Sequence, residues 1–243
     1  MGKVSKISYV DSSWSPWVGC TKVSEACKFC YAEALETRYG HDFSTLRRAS
    51  DATFNAPLKW KEPRRIFVCE LSDFFHPDAN KWRPDAYNVI RRTPQHTYLV
   101  LTKRFQSMHG QWWAEEQVPG HRPGNVWLGV TAENQRWADL RVPALLCTRP
   151  MLRFVSIEPM LGPVDLSGLW ECRDGCGHRL SWVIVGAESG PNRRECKVEW
   201  IEDVVDQCRR AQVPVYVKQG SHLYPGRQGD IPDHLWEIKE MPK

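Results

Sequence analysis

The sequence predicts an α/β protein in which about six to seven parallel strands form a complete or partial (β/α) TIM-like barrel. Two observations carry this expectation. Short apolar, β-branched runs begin near Ile66, Tyr98, Val126, Arg153, Trp182 and Val213, at intervals of 27 to 32 residues, the length of a strand plus a crossover helix. Each run also ends in polar residues capable of chemistry: Glu70-Leu-Ser72-Asp73, Thr102-Lys103-Arg104, Thr131-Ala-Glu133-Asn134, Ser156-Ile-Glu158, Gly186-Ala-Glu188-Ser189 and Lys218-Gln219. A β/α barrel builds its active site from the C-terminal ends of many strands, whereas an open doubly wound sheet concentrates function at one switch point. Polar tips on six strands favour the barrel.

Taken in order, Ser12-Ser-Trp-Ser-Pro-Trp-Val-Gly19 reads as a short first strand, weakened by Pro16. It leads into Cys20-x6-Cys27-x2-Cys30. Helix formers from Tyr31 to Tyr39 then run up to Gly40, a plausible stop. Further helices are expected over 83–92 and 134–146, and most clearly over Val198–Ala211, where Ile201, Val204, Val205 and Cys208 fall at helical spacing with charges opposite. The stretch at about 163–181 breaks the rhythm and replaces a helix with an insert. Turn signals from about 221 to 243 precede Leu235-Trp236 and suggest a segment that closes the fold. One domain over 1–243 is expected.

Hydrophobic residues make up 42% of the 243-residue chain and charged residues 26%, proportions of an ordinary soluble protein that exclude extensive disorder. No apolar run approaches the ~20 residues of a membrane span. The start, Met-Gly-Lys-Val-Ser-Lys, lacks the apolar core of a signal peptide. The expected location is the cytoplasm, with no membrane partner. Nine cysteines in a chain of this length argue for reduced thiols or metal ligands over a disulfide framework. Cys69, Cys147 and Cys208 fall in expected strand or helix interiors and read as small core residues. The net charge of +4 is explained by a solvated basic surface before any nucleic-acid contact is invoked.

The three-cysteine loop is the distinctive feature. An iron–sulfur cluster held by three thiolates keeps one iron open, while a fully ligated cluster takes four. Structural zinc prefers four closed ligands, and after this array no further Cys or His occurs until His41. Zinc and three unrelated core cysteines remain the competing readings of the spacing. A second metal group at Cys172, Cys176, His178 and Cys196 has loose spacing, and a Gly-rich loop with free thiols is its default. Gly186-Ala-Glu188-Ser189-Gly190 matches neither the P-loop nor the dinucleotide fingerprint and reads as a tight turn presenting Glu188. Glu158 is held extended before Pro159. Glu158, Glu188 and Tyr31 are the candidate catalytic residues. His76 and Tyr31 are expected near the mouth, although a lone His beside aromatics is more often structural.

Three cysteines in one loop after a first strand, with Phe29 immediately before the last, resemble the cluster loop of radical S-adenosylmethionine enzymes. Most of that superfamily uses C-x3-C-x2-C, from which the x6 spacing departs. More narrowly, Trp14-Ser15-Pro16, Gly19-Cys20, Cys27-Lys-Phe-Cys30-Tyr31-Ala32, Leu71-Ser72-Asp73-Phe-Phe-His76, Leu101-Thr102-Lys103-Arg104, Gly129-Val-Thr131-Ala-Glu133-Asn134, Glu158-Pro159-Met160-Leu161-Gly162 and Gly186-Ala-Glu188-Ser189-Gly190 together resemble an uncharacterised phage-associated family of radical-SAM-like proteins. That family commonly has Asn in place of Ser15 and Gly in place of Ala187. The resemblance runs from about Trp14 to the tail.

The resemblance implies a six-stranded or similar barrel of the radical SAM type, with a [4Fe–4S] cluster on Cys20, Cys27 and Cys30 and S-adenosyl-L-methionine on the open iron. It further implies an external electron donor and hydrogen abstraction by a 5′-deoxyadenosyl radical. The backbone around Phe29 would meet the adenine. Ser72 and Asp73, with Glu70 beside them, would receive the amino group. Lys103 or Arg104 would pair with the methionyl carboxylate, and Glu133 or Asn134 would bridge the ribose hydroxyls. Phage association suggests a host-cytoplasmic protein that modifies a nucleic-acid base, with Arg47-Arg48, Lys59–Arg65, Arg91-Arg92 and Arg193-Arg194 as backbone contacts. A peptide or small metabolite is the other substrate class. The rival from a different class is a non-catalytic, zinc-stabilised barrel that only binds. The sequence leaves the oligomeric state open.

Overall fold

The computed structural model describes residues 5–117, 124–173 and 175–242. The chain forms two compact units, residues 1–128 and 129–243. The principal sheet has seven strands and is mostly parallel, so the protein is α/β as the spacing of apolar runs indicates.

In the first unit, β1 (Ser12–Trp14) pairs in parallel with β4 (Arg65–Val68), and β4 with β5 (Thr97–Thr102). The expected strand over 12–19 is instead two pieces. Pro16, with no N–H to give a ladder, separates β1 from β2 (Trp17–Val18), which pairs antiparallel with β3 (Arg47–Arg48) in a separate ribbon. Helix α1 (Tyr31–Arg38) follows the cysteine loop, and α2 (Asp51–Phe54) is capped by Ser50, whose Oγ accepts from Thr53 N. Helix α3 (Arg83–Arg91) has its Pro in the first turn, where the missing N–H costs nothing. Helix α4 (Phe105–Gln117) follows β5. The core of this unit is aromatic: Trp14 packs edge-on against Phe54 and Tyr98, and Trp17 stacks on Phe74.

Strand β6 (Val126–Thr131) straddles the division, and the sheet order is β1-β4-β5-β6, then β7 (Leu152–Ile157), β8 (Trp182–Gly186) and β9 (Val215–Gln219). In the second unit, β7 pairs in parallel with β8, and β8 with β9. Ala132 N donates to Ser156 O, which sets Thr131 beside Ser156. Two residues earlier, a Cβ on Gly129 would lie 2.5 Å from the Phe154 ring. Only glycine leaves that ring its place. Helix α5 (Gln135–Leu146) is capped by Asn134, whose Oδ1 accepts from Trp137 N at 3.3 Å. Helix α6 (Val198–Ala211) buries Ile201, Val204, Val205 and Cys208 along one face, with Glu199 in its first turn and Arg209 and Arg210 in its last, as the helix dipole favours. After α7 (Asp233–Trp236), the chain runs antiparallel to β9, with Val217 N donating to Ile238 O and Tyr216 bridged to Lys239.

The six expected strand starts fall within two residues of β4 to β9. Between β7 and β8 the described residues of the insert contain no helix, only a Glu171–Arg179 bridge. Cys69 and Cys208 are buried, as expected of core residues, but Cys147 is exposed. It is the C-cap of α5 rather than part of its interior.

Candidate functional site

The cysteine loop lies at the C-terminal side of β1 and is assembled entirely within the first unit. Gly19 delivers the chain into it with φ at +107°. A Cβ there would sit 2.6 Å from Thr45 O, so both the backbone angle and the space require glycine. Gly19 N donates to Leu71 O at 3.1 Å and Ser72 Oγ donates to Gly19 O at 2.5 Å, which ties the loop to the segment after β4. Cys20 N donates to Phe43 O at 2.8 Å. Cys27 closes a 3-10 turn over Glu25–Cys27, and Cys30 is the N-cap residue of α1. All three thiols are free and half-buried. Burial, with the Asp73 carboxylate adding to it, pushes the Cys20 thiol up to about 11, against the opposing pull of Arg104.

Asp73 is the hub behind this loop and is 7% exposed. Its Oδ1 accepts from Thr102 Oγ1 at 2.7 Å and from Phe75 N at 2.9 Å, and its Oδ2 from Lys103 N at 3.1 Å. Thr102 Oγ1 in turn accepts from Arg104 N at 2.9 Å. The carboxylate thereby fixes the turn after β5. From that turn Arg104 Nη2 reaches back to Thr21, donating to its carbonyl at 2.8 Å and its Oγ1 at 2.7 Å, and lies 3.8 Å from Cys20 Sγ. Tyr31 Oη donates to Glu70 O at 2.6 Å. Among the described residues, the Lys103 ammonium has neither a hydrogen-bond nor an ion-pair partner.

His76 is 3% exposed and also serves the loop. Its Nδ1 accepts from Asp78 N at 3.3 Å, so the proton belongs on Nε2, which donates to Thr21 Oγ1 at 3.1 Å. Ser72, Asp73, Arg104 and Tyr31 are therefore brought together with Cys20, and each is engaged with the loop or its supports. Phe29 lies in the same loop and is 36% exposed.

The strand tips of the second unit are paired differently. Glu133 is fully buried, with Oε2 accepting from Arg141 Nη1 at 2.7 Å, while the Arg141 guanidinium lies 3.9 Å over the Trp137 ring. Glu188 meets Arg194 in bidentate fashion, through Nη2 at 2.5 Å and Nε at 2.8 Å. Glu158 Oε1 accepts from Lys218 Nζ at 2.6 Å. Asn134 is committed as a helix cap. Cys172 N donates to His178 O at 2.8 Å, and His178 Nδ1 bonds the Leu146 carbonyl at 3.0 Å. Among the described residues no group of three or more His, Cys, Asp or Glu side chains is gathered to hold a metal ion, here or at the cysteine loop.

Sequence reasoning gave no role at the loop to Thr21 or Gly19, and none to Lys218 beyond its place in a polar strand tip. Lys218 carried a signal, since it ends the sixth polar strand tip. Thr21 carried none, because its partners lie 55 and 83 residues away.

Residues 4–230 match the model of a family described as a protein of unknown function, DUF5131. The chain belongs to that family. No curated protein and no solved structure matches it.

Proposed function

We propose that this chain is a radical S-adenosylmethionine enzyme on a partial β/α barrel, with Cys20, Cys27 and Cys30 as the ligands of a [4Fe–4S] cluster. The observation that carries this reading is three free thiols in one loop, at the C-terminal side of parallel strands, braced by residues from two further strand ends. The donor set fits the group in kind and number, because three thiolates leave one iron open. Loading must draw the thiols together, since they are not gathered as they stand. When bound, the cluster and S-adenosylmethionine would supply a 5′-deoxyadenosyl radical for hydrogen abstraction from substrate.

The protein's own contribution is binding and orientation. Lys103, whose ammonium has no partner among the described residues, is the better candidate for the methionyl carboxylate, since Arg104 is spent on Thr21. Glu70, whose backbone carbonyl already receives Tyr31, is the acid beside Ser72 with which to meet the ammonium. Phe29 offers its backbone for the adenine. An external low-potential donor supplies the electron, and a nucleic-acid base is the proposed substrate.

The test is anaerobic incubation of the reconstituted protein with S-adenosylmethionine and dithionite. Release of 5′-deoxyadenosine is expected, and its absence from a protein that carries the cluster would refute the enzymatic reading. Binding to DNA or RNA that weakens steeply with salt would support the substrate class, and salt-independent or absent binding would turn attention to peptides or metabolites.

A further inference from the structure

Arg104 is the only side chain from β5 or its C-terminal turn with a hydrogen bond to the cysteine loop among the described residues. One nitrogen, Nη2, holds both oxygens of Thr21 and approaches Cys20 Sγ. Such a charge-assisted grip is stronger than a neutral one. Arg104 is itself placed by Thr102 and, through Thr102 and Lys103, by the buried Asp73. From the other side, His76 Nε2 donates to the same Thr21 hydroxyl. Thr21 is thus pinned from two elements at the position that directly follows the first cysteine. The Arg104 Nε–H is buried and finds no acceptor among the described residues.

We infer that Arg104 is a positioning residue for the cluster loop, holding Thr21 so that Cys20 is presented and keeping a permanent positive charge against the Cys20 ligand. This rests on the proposed cluster. A fixed cation beside a thiolate favours the more negative, reduced state of the cluster. Its removal is expected to move the midpoint potential to more negative values. Lysine would keep the charge but lacks the planar guanidinium whose fixed geometry directs the two Nη2 bonds to Thr21.

The experiment compares the wild-type chain with Arg104→Lys and Arg104→Gln. Backbone hydrogen exchange of the apo proteins is read over residues 19–30, and the midpoint potential of the reconstituted proteins is read by redox titration with EPR detection. Arg104→Gln is expected to speed exchange in the loop and to shift the potential negative. Arg104→Lys is expected to speed exchange but keep a potential close to that of the wild type. Unchanged loop exchange in both variants would overturn the positioning role. An unchanged potential in a cluster-loaded Arg104→Gln would overturn the electrostatic one. A wild-type chain that takes up no cluster would refute the cluster reading and the electrostatic role with it, while the apo exchange data would still decide the positioning role. Should Arg104→Gln fail to fold, the comparison of Arg104→Lys with wild type decides the positioning role by exchange, and a potential shifted negative in that variant would contradict the electrostatic one.

Discussion

The strand ends of the two units carry similar residues and use them in opposite ways. In the first unit the polar groups Ser72, Asp73, Thr102 and Arg104 converge on a loop whose thiols they leave free. In the second, each acid at a strand tip has a cation of its own: Glu133 with Arg141, Glu158 with Lys218, Glu188 with Arg194. The first arrangement ends on free thiols, and the second commits its acids to cations while Glu133 Oε1, Thr131 Oγ1 and Ser156 Oγ stay buried without a hydrogen bond among the described residues. Polarity at a strand end therefore does not by itself mark a binding residue. What distinguishes the two is that the first network ends on a loop of free thiols, whereas the second ends on acid–cation pairs within the unit.

Breaking each region should produce different losses. The largest stability effect is expected from Glu133→Ala, which strands the Arg141 charge in a fully buried position. A loss of about 3–5 kcal/mol in urea unfolding is expected, with the iron uptake of the protein that remains folded unchanged. Gly19→Ala should do the reverse. The strained angle and the contact with Thr45 cost about 1–3 kcal/mol, and iron incorporation should fall by a larger proportion than stability does. Normal uptake in a folded Gly19→Ala protein would show that the path into the loop is not critical.

A smaller effect concerns pH. Burial, with Glu240 adding to it, pushes the Cys208 thiol up to about 12 from an ordinary 9.0. The folded state then keeps a proton that the unfolded state releases, so this contribution to stability is complete below pH 9 and is lost as pH rises toward 12. Between pH 8.5 and 10.5 the apo wild-type chain should lose more stability than Cys208→Ala. Parallel losses would assign the alkaline sensitivity elsewhere.

Much of the fold was legible because it depends on local periodicity. The apolar runs marked β4 to β9, and Ile201, Val204, Val205 and Cys208 marked the buried face of α6. The first strand was less so, since pairing of Trp17–Val18 with Arg47–Arg48 is a contact across 30 residues with no local signature. Cys147 misled because its helical surroundings do not reveal that it caps the helix. Cys20, Cys27 and Cys30 stood out by sharing one loop, although their spacing alone left zinc, a cluster and unrelated thiols open. The duties of Asp73 and Arg104 did not stand out, because their hydrogen bonds join residues 29 to 84 positions apart. A residue type announces that it can bind a cofactor, and only its contacts tell whether it is already employed.

The most direct measurement is the iron and sulfide content of anaerobically reconstituted wild-type protein beside Cys20→Ser, Cys27→Ser and Cys30→Ser. About four iron and four sulfide per chain are expected in the wild type, with near-complete loss in each variant and little change in the fold. A colourless wild-type protein that binds zinc and no iron, or variants that load as the wild type does, would contradict the assignment of the loop to a cluster.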